Sequence, residues 1–162
     1  MSLIDQQAPD FTLSSTAGEE MRLSDTLDSG PSVVLLNRGY WCSYCAEQLQ
    51  SFSALEYDLW RNHGVDVLPI LVDLIPRLVE MRDRFDLRLQ LLSDPDLETS
   101  RAYTGTEETD THGTVALAGT FVIDEDGIVQ YEQVAENAAD RTYANYVRRF
   151  IGTGYEDSYP DN

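Results

Sequence analysis

The chain has no lysine. All 11 of its basic residues are arginine, set against 29 Asp and Glu, and the formal net charge at pH 7 is −18. An excess of that size excludes nucleic acid and anionic membranes as expected partners, because both repel it. It also works against compactness at low salt. A salt-rich host relieves the repulsion, since the Debye length shrinks to about 3 Å at 1 M, so a halophilic cytoplasm is the expected setting. Long apolar runs are missing as well, and without about eighteen consecutive apolar residues no membrane span is expected. Met1-Ser2-Leu3-Ile4-Asp5 has neither a basic region nor an apolar core, so no secretory signal is expected. There are only two cysteines and two histidines. In a reducing compartment, and this close in sequence, the cysteines are poor candidates for a structural staple. His63 and His112 are far apart and lack zinc-site spacing, so neither a metal nor another cofactor is expected.

What is present suits one domain. At 162 residues with 42% hydrophobic, the chain is long enough to bury about two-thirds of its unfolded surface. We read a domain over 1–151 and an acidic, frayed tail over 152–162.

The chemistry concentrates in Asn37-Arg38-Gly39-Tyr40-Trp41-Cys42-Ser43-Tyr44-Cys45. Ser32-Val33-Val34-Leu35-Leu36 before it reads as a buried strand. Ala46 to Arg61 after it reads as a helix, with Leu49, Phe52, Leu55, Leu59 and Trp60 on one face. A Cys-x-x-Cys pair where a strand turns into a helix meets free N–H groups and the positive end of the helix dipole. That setting lowers a thiol pKa and favours the thiolate, the form that attacks peroxides and disulfides. Arg38 adds positive charge, and Glu47 opposes it.

The remaining order is an N-terminal hairpin (Ala8 to Leu13 with Met21 to Leu23), a strand over Val65–Val72 and a helix from Ile75-Pro76. Leu87–Leu92 reads as a third strand, and a short helix follows to Tyr103. Thr104–Leu117 reads as a long loop. A hairpin over Gly119–Glu132 and a helix over Arg141–Ile151, capped by Asp140, complete the chain. Pro69 predicts a bulge or an unpaired edge in its strand. Alternating β and α elements with a late hairpin give an α/β fold whose mixed, mostly parallel central sheet carries helices on both faces. A Cys-x-x-Cys at its first βα turn reads as a thioredoxin-like redox motif.

Four stretches, Ala8-Pro9-Asp10-Phe11-Thr12-Leu13, Arg38 to Cys45, Leu91-Leu92-Ser93-Asp94-Pro95 and Thr120 to Asp124 with Gly127, resemble the peroxiredoxin-like branch of the alkyl hydroperoxide reductase and thiol-specific antioxidant family. The resemblance implies a thioredoxin-like fold and a thiol-dependent peroxidase. Its substrate would be a hydroperoxide and its reductant a thioredoxin-like dithiol protein; a homodimer is among the assemblies it allows. By that likeness Cys45 is the peroxide-attacking cysteine, Cys42 its resolving partner, and Gln48 stands at a Glu or Gln position. The family's arginine before the Thr-Phe-Val-Ile-Asp strand is absent from Leu117-Ala118-Gly119, which leaves Arg38 or another arginine to supply the charge. Tyr40, Trp41 and Tyr44 are expected to shield the thiols or line a substrate groove, with Ala118 and Thr120 facing them from the neighbouring strand. His112 lies in the loop before that strand. Two other readings stand beside the peroxidase: a thiol–disulfide oxidoreductase in which Cys42 attacks and Cys45 resolves, and a non-catalytic redox sensor on the same fold.

Overall fold

The computed structural model describes residues 2–156. Residues 157–162 of the expected tail lie outside the described residues. The part inside is not frayed: Tyr155 donates its N–H to Phe150 O at 2.9 Å, and its ring lies 5.7 Å from that of Phe150.

Seven strands form one mixed sheet. In chain order they are β1 (Thr12–Ser15), β2 (Glu20–Arg22), β3 (Ser32–Leu36), β4 (Asp66–Leu71), β5 (Leu92–Ser93), β8 (Gly119–Ile123) and β9 (Val129–Val134). Their spatial order is β2-β1-β5-β4-β3-β8-β9. Only β3·β4 and β4·β5 pair in parallel, so the sheet is less parallel than the sequence suggests. The two hairpins and the β1·β5 and β3·β8 pairings make up the antiparallel remainder. A separate two-stranded ribbon, β6 (Thr106–Thr109) with β7 (Gly113–Ala116), occupies the stretch expected to be a loop. Its strands have no continuous apolar face and pair only with each other. Thr109 closes the turn by accepting from His112 N and donating to Gly113 O, both at 2.9 Å.

Helices cover both faces. Alternate residues of β3 and β8 (Val33, Leu35, Val122) pack under α2 (Ser43–His63), α3 (Ile75–Arg84) and α5 (Ala144–Gly152). The others (Val34, Leu36, Phe121, Ile123) pack with Phe11, with Leu23 of α1 (Leu23–Thr26) and with Tyr103 of α4 (Glu98–Tyr103). β3 is buried along its whole length, as its unbroken apolar run predicts. At about 1.5 Å per residue α2 runs nearly twice the length of β3. Its far end still buries Leu59 completely, whereas Trp60, expected on the same face, is 54% exposed. Gly64 ends the helix in the left-handed region at φ 66°, a conformation glycine adopts without side-chain strain.

Pro69 sits in register with Leu35 and no bulge interrupts β3·β4. Asn37 N donates to Ile70 O, so Pro69 faces the β5 side, where pairing starts only at Ile70. The missing N–H thus falls where no acceptor waits, as expected of an unpaired edge. Leu87–Leu91 is not a strand. Side chains take up two of its backbone donors: Arg88 N donates to Ser53 Oγ and Leu91 N to Thr16 Oγ1. The last helix starts at Ala144 behind Tyr143, not at Arg141 behind Asp140. Asp140 instead accepts from Glu136 N. That difference releases Arg141 from the helix and decides the shape of the site.

Candidate active site

β3 delivers the chain to Asn37, and the turn Arg38–Trp41 leads into α2 with Cys42 as its N-cap. The helix begins at Ser43, three residues earlier than expected. Cys42 Sγ accepts from Cys45 N at 3.3 Å, as a capping oxygen would. Cys45 Sγ accepts from Arg38 N at 3.3 Å. Cys45 is wholly enclosed, at 0% exposure, while Cys42 keeps 4%. Both are free thiols.

The cation at the sulfurs is Arg141. Its Nη2 lies 3.2 Å from Cys45 Sγ and 3.7 Å from Cys42 Sγ. Its other nitrogens are fixed: Nε donates to Ala138 O at 2.9 Å, and Nη1 donates to Asn37 Oδ1 at 2.9 Å and to Gln48 Oε1 at 3.3 Å. Gln48 is held in turn by Thr120 Oγ1 and Thr142 O. Arg141, Asn37, Gln48 and Thr120 are all buried. The fork is therefore locked on three sides and presents its remaining edge to sulfur.

The two thiols differ in acidity. Cys42 is pushed down to about 5, chiefly by the hydrogen bond from the Cys45 thiol, then by Cys45 N–H and by the charges of Arg141 and Arg38; burial opposes the shift. Burial pushes Cys45 up, and its hydrogen bond to Cys42 adds to the rise. The pair thus favours a thiolate at Cys42 beside a neutral thiol at Cys45.

Arg38, expected beside the thiolate, shares its guanidinium between Cys42 and the ribbon. Its Nε binds Glu107 of β6 at 2.7 Å, and its Cζ lies 4.9 Å from the Trp41 ring. Its backbone N–H donates to Cys45 Sγ, and its side-chain charge acts on Cys42. His112 stacks on Trp41, with ring centroids 4.0 Å apart and planes 6° apart. The β6–β7 ribbon is thereby clasped to the cysteine turn at two points. Gly39 belongs there because a Cβ would sit 2.5 Å from Trp41 Nε1. Tyr40 N donates to the Asp73 carboxylate at 2.9 Å, and Arg77 lies over the Tyr40 ring. Tyr44, 42% exposed, stands at the rim. Thr120 spends its hydroxyl on Gln48, and Ala118 is buried with its carbonyl accepting from Ala135 N. Among the described residues no three His, Cys, Asp or Glu side chains are grouped to hold a metal ion.

Sequence reasoning missed Arg141 and Asn37. One signal pointed toward Arg141: a thiolate turn without an arginine before Thr120 needs its charge from elsewhere. A second was the apolar spacing Ala144, Val147, Phe150, which starts the last helix after Arg141 rather than at it.

The model of the AhpC/TSA family matches residues 4–132; Arg141 lies just beyond that span. Over 124 residues the chain is 32% identical to the thiol-disulfide oxidoreductase ResA of Geobacillus thermodenitrificans, covering 76% of this chain and 64% of that protein. The chain thus spans under two-thirds of that relative's length. It is 27% identical over 168 residues to the chloroplastic 2-cysteine peroxiredoxin of Chattonella marina var. antiqua, covering 98% and 84%. The crystal structure of peroxidoxin BcpB from Mycobacterium tuberculosis superposes with a TM-score of 0.77 at 20% identity, covering 94% of this chain and 96% of that one. This last likeness is one of fold.

Proposed function

This chain belongs to the AhpC/TSA family, and from that premise we propose that it is a thiol-dependent hydroperoxide reductase working through Cys42 and Cys45. The observation that carries the reading is the Arg141 guanidinium at both sulfurs. It holds a thiolate, and the same fixed donor stabilises the negative charge that develops on the departing oxygen.

The Cys42 thiolate attacks one oxygen of the hydroperoxide. The O–O bond breaks, the alkoxide takes a proton and leaves as the alcohol, and Cys42 becomes a sulfenic acid. The Cys45 thiol then attacks the Cys42 sulfur and water leaves. The resulting disulfide returns to two thiols by taking two electrons and two protons from a dithiol protein, in the reducing cytoplasm that free thiols suit. The resemblance places the attack at Cys45. We assign it to Cys42, because Cys42 is the more acidic of the two and is not fully enclosed.

Replacing each cysteine by serine tests the assignment. After a stoichiometric dose of peroxide, Cys45→Ser should accumulate a sulfenic acid on Cys42, trapped by dimedone and located by mass. Trapping on Cys45 in the Cys42→Ser protein would reverse the roles. Oxidation of neither faster than free cysteine would remove the peroxidase reading.

The N-cap position of Cys42 and the similarity to ResA favour a second reading, a thiol–disulfide oxidoreductase with the same attacking sulfur. Wild-type protein that reduces insulin disulfides rapidly but reacts slowly with peroxide would select it.

A further inference from the structure

Arg141 is a buried cation with no carboxylate. Among the described residues, the ion pairs of arginine are Arg38–Glu107, Arg77–Glu80, Arg82–Asp83 and Arg148–Asp58. The carboxylate next to it in sequence, Asp140, accepts from Glu136 N instead. The guanidinium meets only neutral oxygens (Ala138 O, Asn37 Oδ1, Gln48 Oε1) and the two sulfurs. The one group in contact that can carry a negative charge is therefore the thiol pair itself. A buried ion left without its partner is strongly unfavourable.

This arrangement ties the charge balance of the site to its oxidation state. In the reduced protein the thiolate neutralises Arg141. In the disulfide neither sulfur carries charge, and the guanidinium is enclosed with no counter-ion. Cys45 N, which donates to the Cys42 sulfur, loses its charged acceptor at the same time. We propose that Arg141 makes the Cys42–Cys45 disulfide a strong thiol oxidant and makes the oxidised protein less stable than the reduced one, the reverse of what a cross-link ordinarily does. Electrons then flow readily into this site from a dithiol, and an oxidant as strong as a peroxide is needed to draw them out. The inference rests on the dithiol reading above, though not on which oxidant is used.

The exchange is balanced with glutathione. The reduced protein, as thiolate plus thiol, and one glutathione disulfide plus one proton give the protein disulfide and two glutathiones. Wild type, Arg141→Met and Arg141→Lys would be equilibrated in glutathione buffers, quenched with acid and alkylated, and the disulfide fraction counted by mass. Arg141→Met should raise the oxidation constant at least tenfold, which lowers the reduction potential by about 30 mV, and Arg141→Lys should fall between. Denaturant midpoints of the wild type should be lower oxidised than reduced, with the gap closing in Arg141→Met. An oxidation constant unchanged or lowered in Arg141→Met overturns the proposal. So does a wild type that is more stable oxidised, a comparison that needs no variant to fold. If no Cys42–Cys45 disulfide forms at any buffer ratio, the dithiol reading falls, and this inference with it.

Discussion

The acidity of Cys42 sets a rate profile that runs against intuition. With a pKa of about 5, the thiol is about 99% ionised at pH 7, against about 3% for a free cysteine of pKa about 8.5. That is about 30-fold more thiolate. Nucleophilicity falls with basicity, however, at a Brønsted slope of about 0.4–0.5, so the same 3.5-unit drop costs about 25- to 55-fold per thiolate. The two effects cancel at pH 7, and Cys42 should react with a small disulfide such as dithiodipyridine at about the rate of free cysteine. At pH 5 the balance tips. Half of Cys42 is ionised against about 0.03% of the free thiol, and the net advantage is about 30- to 60-fold. Stopped-flow rates from pH 4 to 9 should rise to a plateau with a midpoint near 5. Cys45→Ala removes the hydrogen bond that contributes most to the shift, so its midpoint should move up, while Cys45→Ser, which keeps a donor, should move less. A wild-type midpoint near 8.5, or no advantage at pH 5, would refute the account of the helix start as a thiolate site. If the profile holds, ionisation alone does not explain fast peroxide reduction at neutral pH. Any excess there belongs to Arg141.

Two further outcomes test the fold. Asp94 is buried and its carboxylate accepts from Thr99 N, Ser100 N and Ser100 Oγ; Asp94→Ala should cost about 1–3 kcal/mol in urea unfolding, because the N–H groups in the first turn of α4 lose their acceptor and are left unpaired. With a net charge of −18, the melting temperature followed by circular dichroism should rise as KCl goes from about 0.1 to about 1 M, where screening is close to complete; a fall would show that self-repulsion is not what limits stability.

The elements legible in the sequence are those whose signal is local. The run Ser32–Leu36 carries its burial in its own composition, Gly64 marks the end of α2, and Gly127 marks the turn between β8 and β9. The sheet's strand order is not local, and the large antiparallel share came from pairings of β1 with β5 and β3 with β8 that no short window contains. The β6–β7 ribbon was missed because its Thr and Glu residues alternate without an apolar face. At the site, the cysteines and their turn were plain, whereas the charge that governs them was not. Asp140 offered a believable cap, which drew Arg141 into the helix. Only the tertiary fold, bringing together residues 96 positions apart, puts that guanidinium on sulfur.

Cys42 and Cys45 share the opening of a single helix, one at the cap and one within the first turn. The two thiols already share a hydrogen bond, so no helix has to unwind before the second sulfur can reach the first. On the proposed chemistry the sulfenic acid is consumed almost where it forms. It has little time to meet a second peroxide, and the irreversible climb to sulfinic acid is cut short by proximity. Such a centre should keep turning over under an oxidant load that would silence one whose partner sulfur arrives only after a loop rearranges.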